Sequence, residues 1–194
     1  MFDPMFAELF KFIKSHENII DINTGYGLCS VCLFEIYPKA KVYGIEPDGH
    51  RARISSKVIG QRGFIKCAKA PDIPQTEDPV DCALMIDVIQ YLKDDEFKLI
   101  LKRLSMQLCP GGSLLLRATS PINRAVSRMV WYENFWHKII GIKPCYRSEE
   151  EIKQVLSQSG FEIEAVESSG SGNKKCWVFA KLRKAQQHAD KINV

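Results

Sequence analysis

The sequence lacks any apolar run close to the ~20 residues that a membrane-spanning helix requires. Its N-terminus has no signal-peptide core, and no internal repeat or low-complexity linker interrupts the 194 residues. The composition, 45% hydrophobic and 26% charged residues, is ordinary for a globular protein. We therefore expect one cytoplasmic domain over residues 1–184, followed by a polar tail at 185–194. Whether the chain is part of a larger polypeptide is left open.

The seven cysteines are odd in number and scattered, which argues against a disulfide framework. We expect all seven to be reduced core residues. The pair Cys29-x-x-Cys32 lacks the second pair of ligands that a metal or redox site needs, and is predicted to be two buried helix residues. The sequence shows no metal-ligand cluster and no catalytic triad, so no metal is expected.

The stretch that organises the chain is 18–30, NIIDINTGYGLCS. It predicts a strand that ends near Asp21, a glycine turn over 23–27, and a buried helix behind it. Glycines let the backbone pass close to a ligand, and the helix start presents unpaired N–H groups and a positive dipole end. Asp21 argues against a pyrophosphate over the turn, because the two would repel each other.

A second strand over 41–48 also ends in an acid. Glu46 lies about 20 residues beyond Gly25, the separation at which doubly wound folds place a carboxylate against a ribose diol. The pattern continues with a helix over about 49–60 and a third strand over 63–67.

An uninterrupted apolar run from Cys82 to Ile86 predicts a strand buried on both faces. Asp87 follows it and either caps the next helix or contacts a ligand. The next helix opens with Asp94-Asp95-Glu96, buries Leu99, Leu101 and Leu104, and is stopped by 109–112, after which a fifth strand covers 113–118.

The C-terminal third predicts a helix and a β-hairpin. Ser148 and Glu151 form a capping box for a helix that runs to Ser159, and Gly160 ends it. Two strands, 161–166 and 176–180, follow around a Ser/Gly turn, so one strand of the sheet is antiparallel.

These motifs resemble class I (Rossmann-like) S-adenosylmethionine (SAM)-dependent methyltransferases of the type 11/12 kind. Residues 21–27 are similar to motif I of this family, Asp-x-Gly-x-Gly-x-Gly, with Asn23 in place of the first glycine. The stretch 79–92 resembles motif IV, and the stretch 108–112 fits the family's Leu-x-Pro-Gly-Gly pattern. The resemblance covers about residues 15–182. It implies a doubly wound three-layer α/β/α sandwich with a seven-stranded, mostly parallel sheet of order 3-2-1-4-5-7-6, the last strand being antiparallel.

The same resemblance implies SAM as cofactor and S-adenosylhomocysteine (SAH) as product. Glu46 matches the acid that holds the SAM ribose. Lys69 stands where the family commonly has an Asp that meets the adenine amino group, so we expect backbone or apolar contacts to adenine instead. The implied cofactor-binding residues are Asp21, Asn23, Thr24, Gly25, Gly27, Glu46, Pro47, Ala68, Lys69, Ala70, Met85, Ile86 and Asp87.

A basic segment, residues 117–147, contains six Arg or Lys and one acid and contributes +5, whereas the rest of the chain sums to −1. Two interpretations stay open for its helical part, about 119–147: a helix over a buried aromatic cluster, or a lid that recognises an anionic or membrane-associated substrate. The lid interpretation predicts substrate-binding roles for Arg124, Arg128, Trp131, Tyr132 and Trp136. An amphipathic N-terminal helix over 2–13 packs on the sheet, over the ligand cleft, or against a membrane surface.

Methyl transfer needs alignment and a dry site rather than an acid–base dyad. A hydroxyl acceptor would also need a base, for which His137, Tyr91, Tyr146, Tyr132 and Asp87 are candidates. We therefore predict a methyltransferase that acts on an anionic or lipid-like small molecule, with possible peripheral membrane contact and no nucleic-acid partner. The alternatives are a methyltransferase-like domain that binds without turnover, and an NAD(P)-dependent oxidoreductase, which Asp21 and the C-terminal hairpin disfavour.

Overall fold

The computed structural model describes residues 13, 18–76, 78–119, 144–168 and 175–183. The predicted N-terminal helix before Ile13, most of the predicted lid and the polar tail lie outside these residues. The elements in chain order are β1 (Asn18–Ile22), α1 (Leu28–Ile36), β2 (Lys41–Glu46), α2 (Gly49–Ile59), β3 (Gly63–Cys67), β4 (Val80–Ile86), a 3-10 turn (Ile89–Tyr91), α3 (Asp94–Gln107), β5 (Leu108–Thr119), α4 (Glu149–Gln158), β6 (Phe161–Ser168) and β7 (Lys175–Leu182).

The seven strands form one sheet in the order β3-β2-β1-β4-β5-β7-β6. Strands β1 to β5 pair in parallel, and β7 runs antiparallel to both β5 and β6. The predicted fold class, strand order and antiparallel strand are therefore confirmed. This topology brings the carboxyl ends of β1, β2, β4 and β5 to one edge of the sheet, where open α/β sheets bind ligands.

Apolar side chains fill both faces of the sheet. Helices α3 and α4 supply Phe97, Leu104 and Ile152 to one face, and α1 and α2 supply Leu33 and Ile59 to the other. Leu99 is exposed rather than buried as predicted, because Phe97, Ile100, Leu101 and Leu104 take the inward positions of α3.

The Pro-Gly-Gly stretch differs from its prediction. It does not stop α3 before a strand that begins at Ser113, because β5 already begins at Leu108. Val80 pairs with Leu108 and Cys82 with Ser113, so residues 109–112 form an irregularity against β4. A Cβ on Gly112 would lie 2.9 Å from the carbonyl oxygen of Cys109, which explains the glycine there.

The predicted capping box of α4 is confirmed. The Ser148 hydroxyl accepts a hydrogen bond from the Glu151 N–H at 3.2 Å, and the Glu151 carboxylate accepts one from the Ser148 N–H at 2.7 Å. Gly160 ends the helix with φ +87°, a conformation that favours glycine.

All seven cysteines are free thiols, but only Cys82 and Cys176 are buried. The prediction of core residues is wrong for Cys67 and Cys145, which are exposed, and the thiols of the Cys29-x-x-Cys32 pair are only partly buried. Among the described residues, no helix is long and apolar enough to cross a membrane.

Candidate active site at the carboxyl edge of the sheet

Backbone strain is concentrated where β1 and β4 end. In the described part of the chain, the only non-glycine residues with positive φ are Asn23 (+69°) and Asp87 (+53°). They follow adjacent strands, and both residue types tolerate this conformation better than most. Because strained residues cluster at functional sites, this edge of the sheet is the candidate active site.

The glycine turn is fastened to the end of β2. The N–H groups of Asn23 and Thr24 both donate to the carbonyl oxygen of Ile45, at 2.9 and 3.0 Å, and the Thr24 hydroxyl donates to the Asp21 carbonyl at 3.2 Å. These two N–H groups therefore hold the turn in place rather than face a ligand.

Gly44 in β2 makes room for this attachment. A Cβ at Gly44 would lie 2.2 Å from the Thr24 hydroxyl oxygen, 2.7 Å from the Ile65 side chain and 3.0 Å from the Asp21 carbonyl oxygen. The close packing of turn against strand therefore requires glycine at this position.

Glu46 ties the turn to the end of β2 from the other side. Its carboxylate accepts hydrogen bonds from the Gly25 N–H (2.9 Å) and from the Asp48 N–H (3.1 Å), and the residue is 1% exposed. The Glu46 side chain is therefore enclosed by the turn rather than solvated at the strand end. Each carboxylate oxygen can accept more than one hydrogen bond, so ribose hydroxyls remain compatible with these contacts.

Space lies above the turn. A Cβ on Gly25 would meet no heavy atom within 4 Å, and the backbone there has φ +60°. Helix α1 begins immediately after Gly27 with no side-chain cap on its first N–H groups. An open cradle, an uncapped helix start and a carboxylate at the neighbouring strand end fit a nucleoside with an attached amino-acid group.

Asp21 is a buried acid beside Glu46. Burial raises its pKa to about 7, and the neighbouring Glu46 carboxylate adds to the increase. An acid pair this close to the turn favours a cationic over an anionic ligand, the more so as the pH rises above about 7 and Asp21 ionises. Burial likewise raises the pKa of the Cys29 thiol, so this thiol is a poor nucleophile.

The adenine side of the predicted site has no acidic side chain in the expected slot. Lys69 is exposed, whereas Ala68 is partly buried and Ala70 buried. The nearest acid in sequence, Asp72, pairs with Lys66 at 2.6 Å, and this contact lowers its pKa. Pro47 is exposed at the end of β2.

Asp87 does not cap the following helix, since its side chain pairs with Arg117 at the end of β5. The Arg117 Nε donates to Asp87 Oδ1 at 3.1 Å, and Nη2 contacts Oδ2. Arg117 also lies over the Trp177 ring, 5.2 Å from its centroid. The Arg117 side chain is 9% exposed and that of Asp87 26%, so the carboxylate is the more open partner. Met85 and Ile86, which precede it, are buried and partly buried.

Three buried polar side-chain atoms of the described residues lack a hydrogen-bond partner: Ser30 Oγ, Gln90 Oε1 and Trp177 Nε1. Ser30 lies in the first turn of α1, Gln90 follows β4, and Trp177 pairs with Arg117 near the end of β5. All three belong to the carboxyl half of the sheet, where buried polar groups without partners, which are rare in proteins, are therefore concentrated.

Comparison with known proteins agrees with this geometry. A family model described as a methyltransferase domain matches residues 2–166. The chain belongs to this methyltransferase-domain family.

Solved structures share the fold. A putative methyltransferase of Haloferax volcanii, solved in complex with the Trm112 methyltransferase activator, superposes with a TM-score of 0.78 at 13% identity over 95% of this chain and 90% of the other. A SAM-dependent methyltransferase of Mesorhizobium loti gives 0.74 at 16% identity over 92% and 96%. The [4+2]-cyclase SpnF gives 0.70 at 14% identity over 93% and 81%. No curated protein matches the sequence.

The candidate bases of this methyltransferase-domain protein fall into two groups. Tyr91 is exposed in the 3-10 turn, and Tyr146 is partly buried in the neighbouring segment, which the Cys145 N–H joins to the Gln90 carbonyl at 2.7 Å. His137 and the predicted substrate-binding residues Arg124, Arg128, Trp131, Tyr132 and Trp136 lie outside the described residues.

The basic segment carries less free charge than its sequence suggests. Arg117 is paired with Asp87, and Arg147 is buried against Asp94 and the carbonyl groups of Ile89 and Leu92. Two of its six cations are therefore neutralised or enclosed by groups outside the segment.

Three residues of the site were not predicted: Gly44, Gln90 and Arg117. Gly44 interrupts a strand pattern, a known signal of close backbone approach. The sequence signal for Arg117 is a charged residue near the end of a buried strand, which the net charge of the basic segment does not reveal. For Gln90 no sequence signal was available.

Proposed function

We propose that this protein binds SAM at the carboxyl edge of the sheet and transfers its methyl group to a small-molecule or lipid-like, anionic acceptor, releasing SAH. The observation that carries the proposal is the Glu46 carboxylate, which accepts the Gly25 and Asp48 N–H groups beside the open space at Gly25. When bound, SAM would supply a methyl group on a sulfonium whose leaving group is a neutral thioether.

The chain's own residues would position the cofactor. Glu46 would accept the ribose hydroxyls, and the absence of any cation beside Asp21 and Glu46 at these two described strand ends favours the cationic methionine end. Asn23, Thr24, Gly25 and Gly27 would shape the cradle. Around it, Pro47, Ala68, Lys69, Ala70, Met85, Ile86 and Asp87 would complete the site.

The acceptor part of the proposal rests on the sequence. Arg124 and Arg128 would attract an anionic acceptor, the aromatic residues Trp131, Tyr132 and Trp136 would pack against it, and His137, Tyr91 or Tyr146 would take its proton if it is a hydroxyl. A cytoplasmic location, a single domain over 1–184 and the lack of a nucleic-acid partner belong to the same proposal.

Calorimetric titration with SAM and SAH tests cofactor binding. Glu46→Ala and Asp21→Ala should abolish micromolar binding, whereas the control Glu162→Ala, an exposed acid on β6, should leave it unchanged. Thermal unfolding verifies that each variant is folded. A folded intact protein that binds neither compound would overturn the proposal.

A second candidate function is binding without turnover. Asn23 and the exposed Lys69 replace two residues that the family uses at the cofactor, and the cyclase neighbour shows that this fold serves reactions other than methyl transfer. SAH binding combined with no methylated product across anionic and lipid-like acceptors would favour this function. The NAD(P)-dependent alternative is disfavoured, since dinucleotide-binding sheets have the order 3-2-1-4-5-6 and lack the inserted antiparallel strand β7.

A further inference from the structure

A second basic region lies on the described surface, away from the segment 117–147. Residues 49–66 contain five Arg or Lys and no Asp or Glu. The residues outside 117–147 have a net charge of −1, because acids elsewhere in the chain cancel the charge of these five cations. Helix α2 exposes most of these cations on the face of the sheet that it shares with α1.

Basic side chains of α2 form a stripe. Arg53 and Lys57 carry its charge and His50 continues it one turn earlier, at the spacing i, i+3, i+7; all three are exposed, whereas Ala52 and Ile59 are buried toward the sheet. Two further arginines flank the neighbouring helix α1. The Arg51 guanidinium lies 5.6 Å from the centre of the Tyr26 ring at its start, and that of Arg62 lies 3.5 Å from the centre of the Phe34 ring.

Helix α1 contributes exposed aliphatic side chains beside this stripe. Leu28, Val31 and Ile36 are 64, 43 and 46% exposed, although an apolar helix is normally covered on all sides. With the partly buried Cys32, they follow the i, i+3, i+4, i+8 spacing of one helix face. Gly27 permits the close contact of the two helices, since a Cβ there would lie 3.3 Å from side-chain atoms of Ser55 and Val58.

Among the residues that the structure describes, few acids oppose these cations. Asp48 caps α2 by accepting the N–H groups of His50 and Arg51, and Asp72 pairs with Lys66 on the opposite side of β3. The remaining acid of the two helices is Glu35. The surface formed by α1 and α2, which we call the α1–α2 surface, is therefore both apolar and basic.

We propose that the α1–α2 surface docks on an anionic phospholipid membrane, with Leu28, Val31 and Ile36 at the acyl boundary and Arg53 and Lys57 among the headgroups. Aliphatic side chains beside a basic stripe are the pattern of interfacial helices. A second copy of the chain would place like charges against each other. Nucleic acid would leave the aliphatic side chains without a partner. This proposal does not depend on SAM binding.

Flotation with lipid vesicles tests membrane docking by the α1–α2 surface. It compares how much protein partitions onto phosphatidylcholine vesicles with and without one-third phosphatidylserine. The double reversal Arg53→Glu/Lys57→Glu should lower partitioning onto the anionic vesicles at least about 25-fold, since each cation near such a surface contributes about fivefold. Val31→Asn/Ile36→Asn should also weaken it. Matched controls lie on α3, on the other sheet face: Lys98→Glu/Lys102→Glu and Leu99→Asn/Met106→Asn, all exposed, should have much smaller effects. Thermal unfolding verifies folding.

The basic segment 117–147 is present in every variant and contributes equally to all of them. The proposal is supported if the intact protein prefers vesicles with phosphatidylserine, the α1–α2 variants lose this preference and the α3 controls keep it. Equal losses in both sets would mean diffuse attraction of a cationic protein, and no preference would mean that no anionic membrane is bound. Tighter binding to polyuridylate than to vesicles, unchanged by Val31→Asn/Ile36→Asn, would assign the surface to nucleic acid. Each of these three results overturns the proposal.

Discussion

The buried Asp21 makes the stability of the folded protein depend on pH. Its carboxyl group is enclosed beside Glu46, and its pKa is raised from 3.8 to about 7. Between these values the folded chain holds a proton that the unfolded chain has released. The stability that this group contributes is therefore fully present below pH about 4 and is lost as the pH rises to about 7.

Asp21→Asn should remove this dependence. Relative to the variant, the intact protein should lose stability between pH 4 and 7, by at most on the order of 4 kcal/mol, because the amide cannot ionise. Urea unfolding at several pH values measures the difference. Asp95→Asn, an exposed acid on α3, is the control and should follow the intact protein. Parallel curves for Asp21→Asn and the intact protein would contradict the prediction.

The Asp87–Arg117 pair should show strong coupling. Arg117→Met leaves a partly buried carboxylate without its cation and should cost about 3–5 kcal/mol. Asp87→Asn in the same background should recover part of this loss, giving a coupling energy of roughly 1–3 kcal/mol in a double-mutant cycle. The exposed pair Lys66–Asp72 serves as the comparison and should show little coupling. Additive losses at Asp87 and Arg117 would show that the pair is not a unit.

At the scale of elements, the site depends on how closely the glycine turn packs on β2. The turn donates two N–H groups to Ile45, and Gly44 leaves space for Thr24. The two elements are therefore fixed together before any ligand arrives, which reduces the entropy that binding must overcome.

Gly44→Ala should destabilise the protein by about 1–3 kcal/mol, because the new methyl group would force Thr24 and Ile65 to move. SAH binding should weaken with it. The matched control is Gly49→Ala in the first turn of α2, where the nearest heavy atom to a Cβ is the Cys67 sulfur at 3.8 Å. This control should be neutral or stabilising by up to about 1 kcal/mol. Equal unfolding midpoints for both variants would contradict the packing argument.

For the molecule as a whole, the family and the sheet order agree. The chain matches the methyltransferase-domain model over residues 2–166, and its strand order places the ends of β1, β2, β4 and β5 at one edge. A ligand that bridges these strand ends would stabilise the entire domain, since the sheet is its common core.

SAH at one hundred times its dissociation constant should stabilise the fold by about 2.7 kcal/mol and raise the unfolding temperature by roughly 5–11 °C. Differential scanning fluorimetry measures this shift. NAD⁺ at the same concentration is the comparison and should leave the midpoint unchanged. A shift with NAD⁺ and none with SAH would reverse the assignment in favour of a dinucleotide enzyme.

Local sequence patterns were enough to predict the order of elements, the glycine turn over 23–27 and the capping box at Ser148. Each of these depends on neighbours a few residues apart, whose spacing and conformational preferences are visible in the chain. The family resemblance then supplied the sheet order, which local patterns alone do not contain.

The contacts that hold the site together are visible only in the folded protein. Asp87 meets Arg117 across 30 residues, and Arg147 meets Asp94 across 53, so neither pairing leaves a local periodic signal. The sequence placed both arginines in one basic segment, whereas folding distributed their charges to different acids. Likewise, the apolar face of α1 and the cations of α2 became one surface only when the sheet placed the two helices side by side.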